Sequence, residues 1–168
     1  LFTAVDIWRC FCPDRPAIFL GIFCEAAQSL AYKKVKGVKL QNDPGDLTMK
    51  IRATVICERD RQVLLVRKPA SKWALPGGKV ELGEAIVGAA ARELQEETGL
   101  NAEQLLYMFE FETDRTLHHV FEAFVLHAEN ATPQNEIAEC SWHSLSMLHD
   151  LDISAATQAI LRSFIRRL

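Results

Sequence analysis

Between Gly78 and Leu100 the chain carries Glu84, then Arg92, Glu93, Glu96 and Glu97 in close succession. At about 100° per residue, Glu93, Glu96 and Glu97 fall within roughly a 100° arc of one helix face. Ala89 and Ala90 share that face a turn earlier, where small side chains would leave room for a ligand. Val87, Ala91, Leu94 and Thr98 lie on the other side and are expected to pack against a sheet. Three carboxylates that close repel one another. At an effective dielectric near 20 and about 5 Å, each pair costs roughly 3 kcal/mol. A hard divalent cation offsets that repulsion and binds phosphate oxygens as well, so the spacing points to Mg²⁺ (or Mn²⁺) and phosphate chemistry. A Glu run on its own is more often a solvated helix face.

The elements that must position these acids begin at Met49. Lys50 to Cys57 alternates and is rich in Ile and Val, which predicts a strand, and Val63 to Arg67 predicts its return after a turn at Glu58 to Gln62. Trp73 to Gly78 reads as loop and Lys79 to Leu82 as a short strand. Helical spacing then runs from about Glu84 to Thr98 and ends at Gly99, a residue type favoured just beyond a helix C-terminus. Strands are expected at about Leu105–Glu112, Leu117–Ala128 and Glu139–Ser144, before a closing helix from Ser154 to Arg167 with Ser154 as N-cap. Helices and strands do not alternate regularly, so the class is α+β, a mixed β-sheet packed between helices. Residues 1–48 differ in character. Their apolar run at Ala17–Ala31 is broken by Glu25 and Gln28, too short for a spanning helix, and reads as an N-terminal extension of unclear role.

The 168 residues, 49% of them apolar and 24% charged, suit one well-cored domain. A net charge of −3 gives no support to binding of a nucleic-acid polymer. No membrane segment is expected. Five cysteines at irregular spacing, with no zinc-like pattern, fit reduced thiols and a cytoplasmic setting.

The stretch Gly78-x5-Glu84-x7-Arg92-Glu-Leu-Gln-Glu-Glu-Thr-Gly99-Leu100 matches the signature of the Nudix hydrolases position for position. Trp73-Ala-Leu-Pro-Gly-Gly-Lys79 is similar to that family's lead-in, and the resemblance runs over about Met49 to Leu168. It implies the Nudix α/β/α sandwich and a role for each motif residue. Glu96 and Glu97 would be metal ligands, joined by the backbone carbonyl of Gly77. Glu93 would be a further ligand or the general base. Arg92 would orient the acids, Glu84 would brace the loop–helix junction, and Gly78 and Gly99 belong to the motif's frame. Arg67 and Lys79 would neutralise substrate phosphates. Some members use a later carboxylate six residues before a tryptophan. Glu136 stands six before Trp142 and is the choice here, as ligand or base, with Glu139, Glu122 and Glu112 as competitors. His118 and His119 are consecutive on a strand, so at most one could enter a site.

The resemblance implies Mg²⁺-dependent hydrolysis of a P–O–P bond in a nucleoside diphosphate derivative. The MutT-like branch, acting on nucleoside triphosphates such as oxidised dGTP, is nearest in size and lead-in. Dinucleoside polyphosphates and nucleotide sugars remain alternatives, as does a homodimer. A catalytically silent nucleotide-binding domain would be expected to lack helix acids, and the isomerase branch carries a degraded signature. Both are disfavoured by an intact motif.

Overall fold

A computed structural model of the protein describes residues 49–167. The extension proposed for residues 1–48 lies outside them. The strands are β1 (Lys50–Arg59), β2 (Gln62–Arg67), β3 (Gly77–Lys79), β4 (Gln104–Thr113), β5 (Thr116–Phe124) and β6 (Glu139–Ser144). The helices are α1 (Ile86–Thr98) and α2 (Ala155–Ile165). The sheet order is β4-β5-β1-β2-β6, with β3 paired to β1. β1 runs parallel to β5, and the other pairings are antiparallel, so the sheet is mixed.

Alternation along β1 divides the core. Ala53, Val55 and Cys57 pack with Ala89, Ala90 and Leu94 of α1. Ile56 turns the other way, into a cluster with Leu65, Ile160, Leu161 and Phe164 around α2. The period of two on a strand thus assigns each helix its own face. The α/β/α sandwich is the observed architecture.

β1 and β2 pair only at the hairpin end, at Glu58–Val63 and Arg59–Gln62. Asp60 and Arg61 make that turn with positive φ at both residues, as a tight hairpin requires. Beyond it the two strands diverge, and the segment Ala74–Lys79 runs between them. Ala74 exchanges backbone hydrogen bonds with Val66, Pro76 accepts from the Val55 N–H at 2.9 Å, and β3 pairs with Arg52–Thr54. The expected strand at Lys79–Leu82 is therefore displaced to Gly77–Lys79. Backbone pairing with β1 holds that stretch, and periodicity does not reveal such pairing. At Gly77, with φ +144°, a Cβ would stand 2.2 Å from the Ala53 carbonyl oxygen, so only glycine passes. The predicted strand to Ala128 likewise ends at Phe124, and Ala128–Asn130 is a 3₁₀ turn.

Candidate active site

α1 has no side-chain cap at its start; at its end Gly99, in the left-handed region, returns its N–H to the Gln95 carbonyl. Its buried stripe is Ala89, Ala90, Leu94, Glu97 and Thr98. This corrects the expectation that Ala89 and Ala90 border an open ligand face. Both are fully buried against β1, whereas Val87 and Ala91 are exposed. The acids lie along the edge of the packed stripe, and Glu97 lies within it.

Arg92 gathers the other acids. Its Nε donates to Glu84 at 2.9 Å, and Nη1 donates to Glu93 at 2.8 Å and to Glu96 at 3.0 Å. Nη2 reaches the second Glu84 oxygen at 3.1 Å and the Lys79 carbonyl at 3.3 Å. Glu84 also accepts from the Glu81 N–H, closing the turn before the helix. These bonds hold the Glu84 carboxyl below its ordinary pKa, with the Arg92 hydrogen bond as the main cause. The Glu93 carboxylate lies over Gly78, where a Cβ would meet it at 2.1 Å.

Glu97 is 4% exposed, and its Oε2 accepts from the Gly77 N–H at 2.9 Å. Burial pushes its pKa up to about 7, only partly opposed by that hydrogen bond and by the charge of Arg52. The Gly77 carbonyl accepts from the Arg52 guanidinium. Lys68 is also close enough for its charge to act on Glu97. Lys68 pairs with Glu136 at 2.8 Å, which brings the late carboxylate to this end of the site and holds it ionised. The loop carrying Glu136 is docked on the end of α1. Gln134 N–H donates to the Glu97 carbonyl and the Asn135 amide to the Glu96 carbonyl.

Other expected residues stand apart from this cluster in their contacts. Arg67 is paired with Glu139 at 2.5 Å and stacks on Trp73 at 4.8 Å. Lys79 is exposed and supplies only its carbonyl to Arg92. Glu112 is exposed near the tip of the β4–β5 hairpin. His118 and His119 do face opposite ways. His118 accompanies Thr54 on the α2 side, and burial lowers its pKa to about 4, so it is neutral. Sequence reasoning missed Arg52 and Lys68. Arg52 is an alternating strand residue and Lys68 a turn residue, so neither carried a signal of its own.

On the α2 face lies a pocket of about 300 Å³, lined by Arg52, Thr54, Leu75, His118 and Thr157 among others. Through Arg52 it adjoins the Gly77 carbonyl.

As arranged, no three His, Cys, Asp or Glu side chains among the described residues converge on a point that could hold a metal ion. Glu93 and Glu96 turn toward Arg92, and Glu97 toward Gly77. The donor set still suits a hard cation. It consists of the oxygens of Glu93, Glu96, Glu97 and Glu136 and the Gly77 carbonyl. The neighbouring Cys140 thiol is pushed up to about 11 by burial and so stays protonated.

The family model described as NUDIX domain matches residues 48–167. The chain belongs to the Nudix family. It is 33% identical over 115 residues to the Nudix hydrolase YvcI of Bacillus subtilis (strain 168), covering 63% of this chain and 73% of that one. It is 33% identical over 98 residues to the ADP-ribose pyrophosphatase of Methanocaldococcus jannaschii, covering 55% of each, so it spans little more than half of that relative. It is also 33% identical over 94 residues to the 8-oxo-dGTP diphosphatase of Proteus vulgaris, covering 53% of this chain and 81% of that enzyme. Among solved structures, a nudix hydrolase family member from Chromobacterium violaceum superposes with a TM-score of 0.63 at 36% identity, covering 74% of this chain and 80% of that one. As a Nudix hydrolase the chain is a pyrophosphate hydrolase, of a family that acts on nucleotide-type small molecules and generally uses divalent metals such as Mg²⁺. No helix among the described residues is long and apolar enough to cross a membrane.

Proposed function

We propose that this Nudix hydrolase is a Mg²⁺-dependent, MutT-like enzyme that cleaves a nucleoside triphosphate to its monophosphate and pyrophosphate, with an oxidised dGTP as the leading candidate. The observation that carries the reading is the gathering of Glu84, Glu93 and Glu96 on one Arg92 beside the buried Glu97. Carboxylates so concentrated, one of them buried against its own preference, present a dense set of hard oxygen donors suited to a divalent cation and its phosphate ligand. Glu93, Glu96, Glu97, Glu136 and the Gly77 carbonyl would hold Mg²⁺. When bound, the metal supplies charge neutralisation and polarisation at phosphorus.

The chain's own groups do the rest. Arg92 fixes the directions of the acids, as its three carboxylate partners require. Glu93 or Glu136 orients a water and takes its proton. Lys79 and Arg67 attract the substrate phosphates, Arg67 after exchanging Glu139 for phosphate oxygen. The pocket of about 300 Å³ is at the small end of ligand sites, so it suits one ring system better than a dinucleotide.

Phosphate release should be measured across nucleoside triphosphates, dinucleoside polyphosphates and nucleotide sugars, with and without Mg²⁺. The expected outcome is metal-dependent turnover highest for a nucleoside triphosphate. Preference for ADP-ribose, the substrate in the archaeal relative's name, would move the assignment to nucleotide sugars. In the same assay Lys79→Ala and Arg67→Ala should each lower kcat/KM by about tenfold with little change in melting temperature. Unchanged kcat/KM in both would return them to ordinary surface cations.

A further inference from the structure

Arg52 faces two ways. It belongs to β1 with its side chain on the α2 side, where it lines the pocket together with Thr54, His118 and Thr157. Yet its guanidinium donates to the Gly77 carbonyl, and its charge acts on Glu97. The same peptide segment thus binds both partners, its N–H held by the Glu97 carboxylate and its carbonyl by Arg52. A carbonyl oxygen engaged by a guanidinium is a poor ligand for a second cation. A divalent ion and a guanidinium held on the same oxygen repel each other strongly, because both charges are positive and only a few ångströms apart. Arg52 and a metal cannot comfortably share Gly77.

We propose that Arg52 is a resident cation that occupies the Gly77–Glu97 corner in the metal-free enzyme, and that a divalent ion binds there by displacing the guanidinium toward the pocket. This rests on the reading of Gly77 and Glu97 as metal ligands. The pocket gives the displaced side chain somewhere to go without unfolding β1, because Arg52 already lines it. Once moved, its donors face the space where a substrate's oxygen-bearing group would lie. In this role Arg52 is a positioning residue. It keeps mutually repelling groups in order while no metal is bound, and it competes with the metal.

Competition has an unusual sign, which makes it testable without turnover. Arg52→Met keeps the stem and removes the charge and donors. Mn²⁺ binding to the substrate-free protein, followed by electron paramagnetic resonance, should be about tenfold tighter in Arg52→Met than in wild type, while the metal-free melting temperature falls. A brace that merely shapes the site predicts the reverse, weaker Mn²⁺ binding on its removal. Wild-type or weaker affinity in Arg52→Met overturns the displacement. Should that variant not fold, the wild-type protein labelled with ¹⁵N-arginine answers the same question. The Arg52 guanidinium resonance should shift on saturation with Mg²⁺, and an unmoved resonance overturns the proposal. Glu97→Gln is the separate control, expected to weaken Mn²⁺ binding about tenfold or more. If its affinity equals wild type, the ligand reading fails, and the displacement fails with it. If Glu97→Gln is weakened and Arg52→Met is not tightened, the ligand reading stands and only the displacement is lost.

Discussion

The two helices cover opposite faces of one sheet and are built to opposite ends. α2 buries Thr157, Ile160, Leu161 and Phe164, and its start is closed by the Ser154 hydroxyl accepting from the Thr157 N–H. Its one buried polar side chain is satisfied by the Leu75 N–H at 3.1 Å. α1 has no side-chain cap, and its buried stripe includes a carboxylate that burial keeps near half-protonation at neutral pH. α2 follows the rules of stability throughout. α1 departs from them at Glu97 and at its crowded acids, and that departure is where the chemistry is expected.

The sharpest way to break the contrast is Glu97→Gln, which keeps the size and removes the charge. Turnover should fall by orders of magnitude, with the Mg²⁺ midpoint displaced. Stability should move the other way. A carboxyl whose folded pKa is raised is most favourable below its unfolded pKa, and that stability is lost as pH rises through the folded value. In the metal-free wild type, melting temperature should therefore decline between about pH 4.5 and 7, by the equivalent of about 3 kcal/mol. Glu97→Gln should lack that decline, and by neutral pH it should melt no lower than wild type. Near-normal kcat together with a wild-type pH slope would make α1 an ordinary surface helix.

Phe164→Ala tests the other side. Emptying a fully buried aromatic position should cost about 3–5 kcal/mol. At a temperature where the variant remains folded, kcat should match wild type, and a large fall in kcat would show that α2 shapes the site as well as the core.

A smaller effect separates Gly78 from Gly77. The atoms nearest to a Cβ at Gly78 belong to the flexible Glu93 carboxylate, so Gly78→Ala should lower kcat about tenfold or more with little change in melting. Gly77→Ala meets the backbone of Ala53 and Thr54 and should destabilise the fold. Equal melting losses in the two would contradict the geometry.

The smallest pair compares the caps. Ser154→Ala should cost ~1 kcal/mol by thermal melt, and Ala85→Ser, at a residue already extended, should gain a few tenths to ~1 kcal/mol. A loss in the second would mean that the start of α1 is held by contacts a hydroxyl disturbs.

Much of this was determined by the sequence alone, wherever the determinant is local. The spacing of Arg92, Glu93, Glu96 and Glu97 on a helix, the stop at Gly99 and the cap at Ser154 depend on neighbours within a turn, and each lies where expected. The family followed from the same short stretch. Tertiary structure decided which way α1 faces. Helical periodicity groups Ala89 and Ala90 with the acids but cannot say which part of the arc meets β1, and the small side chains proved to be the close-packing edge. It also decided that β3 starts at Gly77, because that strand exists through pairing with residues 52–54, more than twenty positions earlier. Arg52 and Lys68 reached the site by the same long-range route, from a strand and a turn that α1 does not adjoin in the chain. Contacts made across the sheet leave no period in the sequence, so the acids and Arg92 could be read from it and Arg52 and Lys68 could not.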